Sequence, residues 1–201
     1  TVTEGMAAAP DIRRLDVRRY SRGIEVQVEI PTHDAERLAS RARTLTGRTG
    51  CGLCGVEVIE EALRESRPVR STATFLRASL WKAGEALRLH QPLNNQTNAI
   101  HAAAWCSADG EPLVVREDVR RHNAVDKVIG ALARTANGPV ASAGFLVVTS
   151  RASYELVQKC AVAGIPLLAA VSRPTALAVQ LAEDAGITLV GLLRGHTANA
   201  Y

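Results

Sequence analysis

Two cysteine thiols three positions apart are the residues of this chain best suited to chemistry. Cys51 and Cys54 lie within residues 47–55, where four of nine residues are glycine. Glycine permits backbone conformations closed to other residues, so this segment is predicted to be a mobile loop that can approach a partner closely. A thiol pair on such a loop indicates chemistry at sulfur rather than a structural crosslink.

Three kinds of chemistry suit this pair, and spacing alone leaves them open. A zinc site needs about four ligands, yet there is no second CxxC and the five histidines are scattered. A thioredoxin-like site expects a strand before the motif and a helix starting at it, not glycines. Sulfur transfer needs an accessible thiolate of low pKa, which nearby cations favour; the cations here are Arg41, Arg43 and Arg48.

A deaminase-type zinc site is not predicted. That chemistry uses a His-x-Glu motif followed later by CxxC, whereas His101 lacks the glutamate and comes after the cysteines. The remaining thiols, Cys106 and Cys160, lie in apolar segments and are predicted to be core residues. This cysteine pattern is not a secreted disulfide framework, and no signal peptide or membrane-spanning run is evident, so a cytoplasmic location is expected.

A formal net charge of +4 indicates anionic partners. Nucleic acid is not expected, because the two Trp, three Tyr and two Phe do not alternate with basic residues. The arginine-rich stretch at residues 13–22 is interrupted by aspartates and is predicted to be a solvated face. A small phosphorylated ligand suits this modest charge better.

The apolar pattern predicts an α/β protein in three parts. Residues 1–46 contain a half-exposed strand (24–30) and a helix capped by Asp34; residues 47–71 contain the cysteine loop and a short helix (56–65). From residue 72 onward the pattern predicts a three-layer α/β/α core, with residues 89–98 as a loop. Its alternating strands (145–149, 165–171, 187–193) and helices (153–163, 175–185) imply a parallel sheet covered on both faces.

Arginines and hydroxyls follow the predicted parallel strands. They occur in segments 149–153, 172–175 and 194–197, and the carboxyl ends of such strands form the ligand-binding edge of an α/β sheet. Helix N-termini there attract phosphate, although capping alone also explains the hydroxyls. Arg151, Ser153 and Arg173 are therefore candidate cofactor-binding residues.

Two histidines are further candidates. His122 shares a predicted helix face with Val125 and Ile129, and Asp118 or Asp126 could fix its tautomer. A histidine on an apolar face can equally be a core residue, and His101 beside an alanine-rich strand is similarly ambiguous. Both are further candidate cofactor-binding residues.

Together these residues resemble the FdhD family of formate dehydrogenase accessory sulfurtransferases. The matching segments run in family order: CGLCG at 51–55, EDVRRHNAVDKVIG at 117–130, ELVQK at 155–159, AGIP at 163–166, AVS at 170–172, PT with LAV at 174–179, and GITLVG at 186–191. The resemblance implies a fold similar to cytidine deaminase without its zinc site.

The resemblance also implies a function. Members accept persulfide sulfur from a cysteine desulfurase and pass it to the molybdenum of the bis-molybdopterin guanine dinucleotide cofactor, for formate dehydrogenase. Carried over, Cys51 bears the persulfide, Cys54 assists, and GDP serves as a surrogate ligand; members are commonly homodimers. The segment that would contact the guanine dinucleotide comprises Leu192, Leu193, Arg194, Gly195, His196 and Thr197.

The chain departs from the family pattern in three places, and the two at glycine positions favour an alternative function. Arg120 and Asn98-Ala99 replace family glycines, and the chain opens at residues 1–5 on what resembles the end of an early motif, so an upstream segment is expected. Bulky side chains in place of glycine are expected to narrow the cofactor groove. The alternative function is a chaperone that holds the cofactor or the apo-dehydrogenase without moving sulfur.

Overall fold

A computed structural model of the chain describes residues 9–40, 68–134 and 144–201. The chain divides into two compact units, Thr1–Arg48 and Thr49–Tyr201. The cysteine pair and the helix predicted at 56–65 lie outside the described residues. The three-part domain division stays a prediction.

The first unit contains a β-hairpin and a helix. A 3-10 turn (Ala9–Asp11) precedes β1 (Arg14–Tyr20) and β2 (Gly23–Glu29), which pair antiparallel, and α1 spans Thr32–Ser40. The predicted strand is confirmed, but its half-buried character is wrong, because every residue of β2 is exposed. Alternating apolar and polar residues give a strand one apolar face, but burial of that face also requires another layer of the protein to cover it.

The start of α1 also differs from the prediction. The backbone N–H groups of Asp34 and Ala35 donate to the carbonyl of Pro31, so the helix begins before Asp34. Asp34 therefore lies in the first turn, where a carboxylate is favoured by the helix dipole, and does not occupy the capping position.

The second unit is built on a six-stranded mixed sheet. Its strands are β3 (His101–Ser107), β4 (Pro112–Asp118), β5 (Gly144–Val148), β6 (Leu167–Ala170), β7 (Thr188–Arg194) and β8 (Thr197–Ala200). The spatial order is β4-β3-β5-β6-β7-β8. The predicted parallel pairing is confirmed for β5, β6 and β7, whereas β3, β4 and β8 pair antiparallel.

Helices cover both faces of this sheet. On one face α2 (Arg77–Leu89) packs through Leu80, Ala83 and Leu87 on Phe145 and Val147. On the other, the alternate residues Leu146 and Val148 pack under α4 (Arg121–Leu132), α5 (Tyr154–Ala163) and α6 (Ala176–Asp184). Burying one such side chain contributes about 1.5–3 kcal/mol. The three layers agree with the prediction, while the likeness to cytidine deaminase stays a prediction.

Two elements of the second unit were not predicted. Residues 92–97 form a short helix, α3 (Pro92–Thr97), where a loop was expected. Pro92 fixes a helical φ at the first position, and Glu117 accepts hydrogen bonds from the N–H groups of Leu93 and Asn94 at 3.0 and 2.8 Å. Strand β8 lacks an apolar pattern and forms through backbone pairing with β7. None of the described helices is long and apolar enough to span a bilayer.

Candidate functional site

The carboxyl ends of β5, β6 and β7 bring the predicted arginine segments to one edge of the sheet. Strand β3 runs in the opposite direction, with Ala103 beside Val148, so its first residue, His101, lies at the same edge. A pair of hydrogen bonds fixes this junction, because the N–H of Ala102 donates to Thr149 Oγ1 at 2.9 Å and the N–H of Thr149 donates to the Ala102 carbonyl at 3.0 Å.

Three arginines surround a cavity of about 360 Å³ at this edge, which we call the arginine pocket. No acidic side chain is among its lining residues, which are Arg151, Ser172, Arg173, Pro174, Thr175, Leu192 and Arg194. Thr175 caps α6, its hydroxyl accepting from the N–H of Ala178 at 3.2 Å. The pocket therefore combines three guanidinium groups with the positive end of a helix, which suits phosphate.

An unusual backbone shape sets the direction of Arg194. Leu192 has a φ of 55°, in the left-handed region that side chains rarely adopt, and β7 is irregular between Gly191 and Arg194. The turn lets Arg194 Nε donate to the carbonyl of Val171 at 3.1 Å. Strain of this kind costs about 1–3 kcal/mol, and Arg194, two residues further on, lines the pocket.

Close approach of β7 to the loop after β6 depends on Gly191. A Cβ at this position would lie 2.7 Å from Pro174 Cδ, closer than side chains pack. A larger residue would push β7 away from the loop that carries Arg173. The glycine thus helps to keep two of the three arginines on one cavity.

A second cavity, of about 240 Å³, lies next to the first and shares Arg194 with it. We call it the tryptophan pocket, and its lining residues are Trp81, Gly84, Glu85, Arg88, Val171, Leu193, Arg194 and Gly195. Leu193, Arg194 and Gly195 were predicted as site residues, and His196 packs on Trp81. No sequence motif indicated Trp81, Glu85 or Arg88.

The remaining residues predicted to contact the cofactor do not lie together. Thr197 Oγ1 donates to the carbonyl of Arg194 at 2.9 Å and closes the β7–β8 turn. Ser153 occupies the N-cap position of α5 without a side-chain capping bond, and it lines neither pocket. Arg120 and Asn98 also line neither pocket, and the expected narrowing of the cofactor groove stays a prediction.

His101 and His122 lie close enough to interact. Burial, followed by the charges of Arg121 and His122, lowers the pKa of His101. Since α4 begins with Arg121 and His122, three potential cations converge at the start of β3. An anion bound beside them would offset the repulsion that, after burial, lowers the pKa of His101.

His122 pairs with a residue that the prediction did not weigh. Its Nε2 lies 3.7 Å from Glu155 Oε2, and the two side chains are 24% and 12% exposed. Burial opposes ionisation of Glu155, but nearby His122, Ser153 and the backbone N–H of Glu155 itself hold its pKa below the ordinary value. This separation is longer than a hydrogen bond, so the contact between the two side chains is electrostatic.

The two aspartates proposed to orient His122 have other partners, and that prediction is wrong. Asp118 contacts Lys127 at 2.6 Å and accepts from the N–H of Arg120 and from Asn123. Asp126 contacts Lys159 at 2.8 Å. The four-residue spacing suggested that these aspartates contact His122. Each binds a lysine instead, Asp118 with Lys127 and Asp126 with Lys159.

Two of the four cysteines are core residues, as predicted. Cys106 and Cys160 are each fully buried, and burial is the main cause that raises the pKa of each thiol to about 12. Neither forms an appreciable thiolate near neutral pH. Within the described parts of the chain, no three His, Cys, Asp or Glu side chains are grouped to hold a metal ion.

Comparisons with known proteins agree on one family. A model of the FdhD/NarQ family matches residues 1–201. The chain is 48% identical over 201 residues to the sulfur carrier protein FdhD of Bordetella bronchiseptica and 50% identical over 202 residues to that of Xanthomonas euvesicatoria, covering 72% and 71% of their lengths. It also resembles the crystal structure of a formate dehydrogenase accessory protein from Desulfotalea psychrophila, with a TM-score of 0.67, 26% identity and coverage of 96% of this chain and 70% of that one.

Proposed function

Because the chain belongs to the FdhD/NarQ family, we propose that it is a sulfur carrier that serves formate dehydrogenase. In this proposal Cys51 accepts sulfur from a cysteine desulfurase and delivers it to the molybdenum of a bis-molybdopterin guanine dinucleotide cofactor. The names of its relatives and the CxxC at 51–54 support sulfur transfer.

The sulfur steps follow from thiol chemistry. The Cys51 thiolate attacks the outer sulfur of the desulfurase persulfide, the S–S bond of the donor breaks, and the donor leaves as a thiolate, so no net oxidation occurs. On delivery, the outer sulfur leaves Cys51 as sulfide and Cys51 becomes a thiolate again. That second step reduces the sulfur by two electrons, which the acceptor metal supplies.

The arginine pocket is the single observation that best supports a dinucleotide cofactor as the acceptor. Arg151, Arg173 and Arg194 come from three separate strand ends and meet around one cavity without an opposing carboxylate. Guanidinium groups bind phosphate oxygens through paired, charge-assisted hydrogen bonds. This pocket can hold the diphosphate of the cofactor while sulfur is delivered elsewhere on it.

Mass spectrometry tests the carrier function. Incubation with a cysteine desulfurase and cysteine should add about 32 Da, one persulfide sulfur, to the wild-type protein. Cys51→Ala should abolish this gain, and Cys54→Ala should retain it. Persulfide on Cys54 in the Cys51→Ala variant would reassign the role, and an unmodified wild type that still binds the cofactor would favour the chaperone alternative.

A further inference from the structure

Buried polar atoms that make no hydrogen bond are concentrated at one place in the second unit. Within residues 9–40, 68–134 and 144–201, seven buried side-chain nitrogen or oxygen atoms have no hydrogen-bond partner, and five of them belong to Arg121, His122, Ser153 and Glu155. Buried polar groups in proteins are normally satisfied, by the protein itself or by a bound molecule. This concentration therefore indicates a place where a small polar ligand binds.

The starts of two helices bring these four residues together. Arg121 and His122 open α4, and Ser153 and Glu155 lie at the start of α5. Nε2 of His122 lies 3.7 Å from Oε2 of Glu155. That distance is too long for a direct hydrogen bond, yet it is short enough for one ligand atom to contact both side chains.

His101 is the fifth member of the group. Burial, and then the charges of Arg121 and His122, lower its pKa, so it lies within electrostatic reach of both. We call these five residues, His101, Arg121, His122, Ser153 and Glu155, the histidine cluster. None of them lines the arginine pocket or the tryptophan pocket, so the cluster is a separate feature of the same sheet edge.

Ser153 directs an unused hydroxyl into the cluster. A serine at the N-cap normally accepts a hydrogen bond from an N–H of the first helical turn. Ser153 holds that position in α5 and is only 4% exposed, yet its side chain makes no capping bond and no other hydrogen bond among the described residues. It lies beside Glu155 instead, close enough to lower the pKa of that carboxyl.

The charge of the cluster suits a single small monoanion. The charges of Arg121 and Glu155 cancel, and each of the two helix N-termini contributes roughly half a positive charge. The sum is about one positive unit before any proton on a histidine is counted. The arginine pocket, with three guanidinium groups, suits the higher charge of a diphosphate instead.

The hydrogen-bonding groups of the cluster require that this monoanion also carry a proton. Arg121 Nε and the Ser153 hydroxyl can donate to an anion, but an ionised carboxylate only accepts, and the lowered pKa of Glu155 favours that form. A halide accepts hydrogen bonds and has no proton to give to Glu155. Hydrosulfide does both, because its sulfur accepts while its S–H donates.

We propose that the histidine cluster binds hydrosulfide, with Arg121 and Ser153 donating to the sulfur and Glu155 accepting from the S–H. The inference rests on the proposed function, in which sulfur leaves Cys51 as sulfide. The cluster holds that sulfur as a protonated monoanion at the edge of the sheet that carries the arginine pocket. The binding is non-covalent, so no bond is formed or broken at the cluster.

Imidazole NMR tests the binding. The full chain is used with Cys51→Ala and Cys54→Ala, so that sulfide cannot react with the cysteine pair. Sodium hydrosulfide in mildly alkaline solution should shift the signals of His101 and His122 and leave the exposed His90 unchanged. Sodium bromide, which has no proton for Glu155, should bind about tenfold more weakly, as the loss of one charge-assisted hydrogen bond predicts.

Three substitutions separate the contributions of the cluster. Arg121→Gln should weaken hydrosulfide binding about tenfold, and Ser153→Ala should weaken it roughly fivefold without lowering the melting temperature, because the hydroxyl does not cap α5. Glu155→Gln removes the charge that repels halides, so it should narrow the preference for hydrosulfide over bromide. Arg116→Gln, on an exposed position, is the matched control and should change neither affinity.

Three results would overturn the proposal. They are an absence of hydrosulfide-dependent shifts at His101 and His122, equal affinities for hydrosulfide and bromide, or binding that both Arg121→Gln and Ser153→Ala leave unchanged. Sulfur loading of Cys51 is measured separately by mass spectrometry. Loading without hydrosulfide binding would leave the sulfur-carrier function standing, whereas hydrosulfide binding in a protein that cannot be loaded would keep the site and remove the carrier function.

Discussion

Glu155, in the first turn of α5, places a carboxylate oxygen 3.7 Å from Nε2 of His122, in the first turn of α4. The contact joins two helix N-termini at the edge of the sheet that carries the arginine pocket. The carboxylate gains from the helix dipole, and its charge faces the imidazole of His122. The pair therefore links the packing of α4 and α5 to the charge of the candidate site.

Removing the charge of Glu155 should destabilise the protein in a pH-dependent way. Glu155→Gln is expected to cost about 1–3 kcal/mol at pH 7. Because the pKa of Glu155 is lowered on folding, the ionised carboxylate contributes stability above its unfolded pKa of about 4.3, and that contribution is lost as pH falls. Denaturant unfolding of both proteins from pH 7 to pH 3.5 should show the gap closing; a constant gap would rule out this ionisation as its source.

The neutral state of His101 should depend partly on Arg121. Burial is the larger cause of its lowered pKa, and the charge of Arg121 comes next, so Arg121→Gln should raise the pKa toward its ordinary value without restoring it. Imidazole NMR titration measures this directly, with the exposed Arg116→Gln as control. An unchanged His101 titration would leave burial and His122 as the causes.

The same lowered pKa predicts how stability varies with pH. A histidine whose folded pKa is depressed binds fewer protons in the folded than in the unfolded protein. The contribution of His101 to the free energy of unfolding is therefore fully present above its unfolded pKa of about 6.5. It declines as pH falls toward the folded pKa. A His101→Gln variant should lack this decline; a variant that retains it in full would assign the effect to another group.

Each arginine of the arginine pocket should contribute separately to anion binding. Arg151→Ala, Arg173→Ala and Arg194→Ala are each expected to weaken pyrophosphate binding roughly tenfold at low salt, with smaller losses at high salt because these side chains are exposed. Calorimetry at two salt concentrations, with Arg116→Ala as control, measures the effect. Equal losses in the control would indicate general charge rather than a site.

Restoring glycine at the two departures from the family pattern should not weaken the fold. Asn98 has a φ of 50° at the end of α3, where glycine is at least as well tolerated, and Arg120 is the N-cap of α4 with extended backbone, where glycine is also acceptable. The double variant should stay within about 1 kcal/mol of wild type. Pyrophosphate affinity should also stay unchanged, since neither residue lines the arginine pocket; tighter binding would restore the idea of a narrowed groove.

Local patterns predicted much of the core, and contacts between distant segments explain what they missed. The apolar runs of β5, β6 and β7 and the approximate ends of α5 and α6 were evident from the sequence. Helix α3 was not evident, because its first backbone N–H groups donate to Glu117, which lies on strand β4. Exposure of β2 could not be predicted either, since alternation does not reveal whether another layer covers a face.

The candidate site shows the same division. The arginines were predictable because strand ends in a parallel sheet share an edge, whatever the details of packing. The partner of His122 was not predictable, because it depends on how α4 and α5 pack. The sequence pointed instead to the two aspartates four residues from His122. Trp81 belongs to no motif, and only its place opposite β7 brings it to the site.

Burial of Cys106 and Cys160 has a practical meaning for following sulfur in the intact protein. The chain has four cysteines, and these two are enclosed and hold their protons at neutral pH. A thiol reagent applied to the folded protein should therefore leave Cys106 and Cys160 unmodified, and unfolding should expose them as an internal standard. Sulfur that the folded protein gains on a cysteine is therefore expected on Cys51 or Cys54.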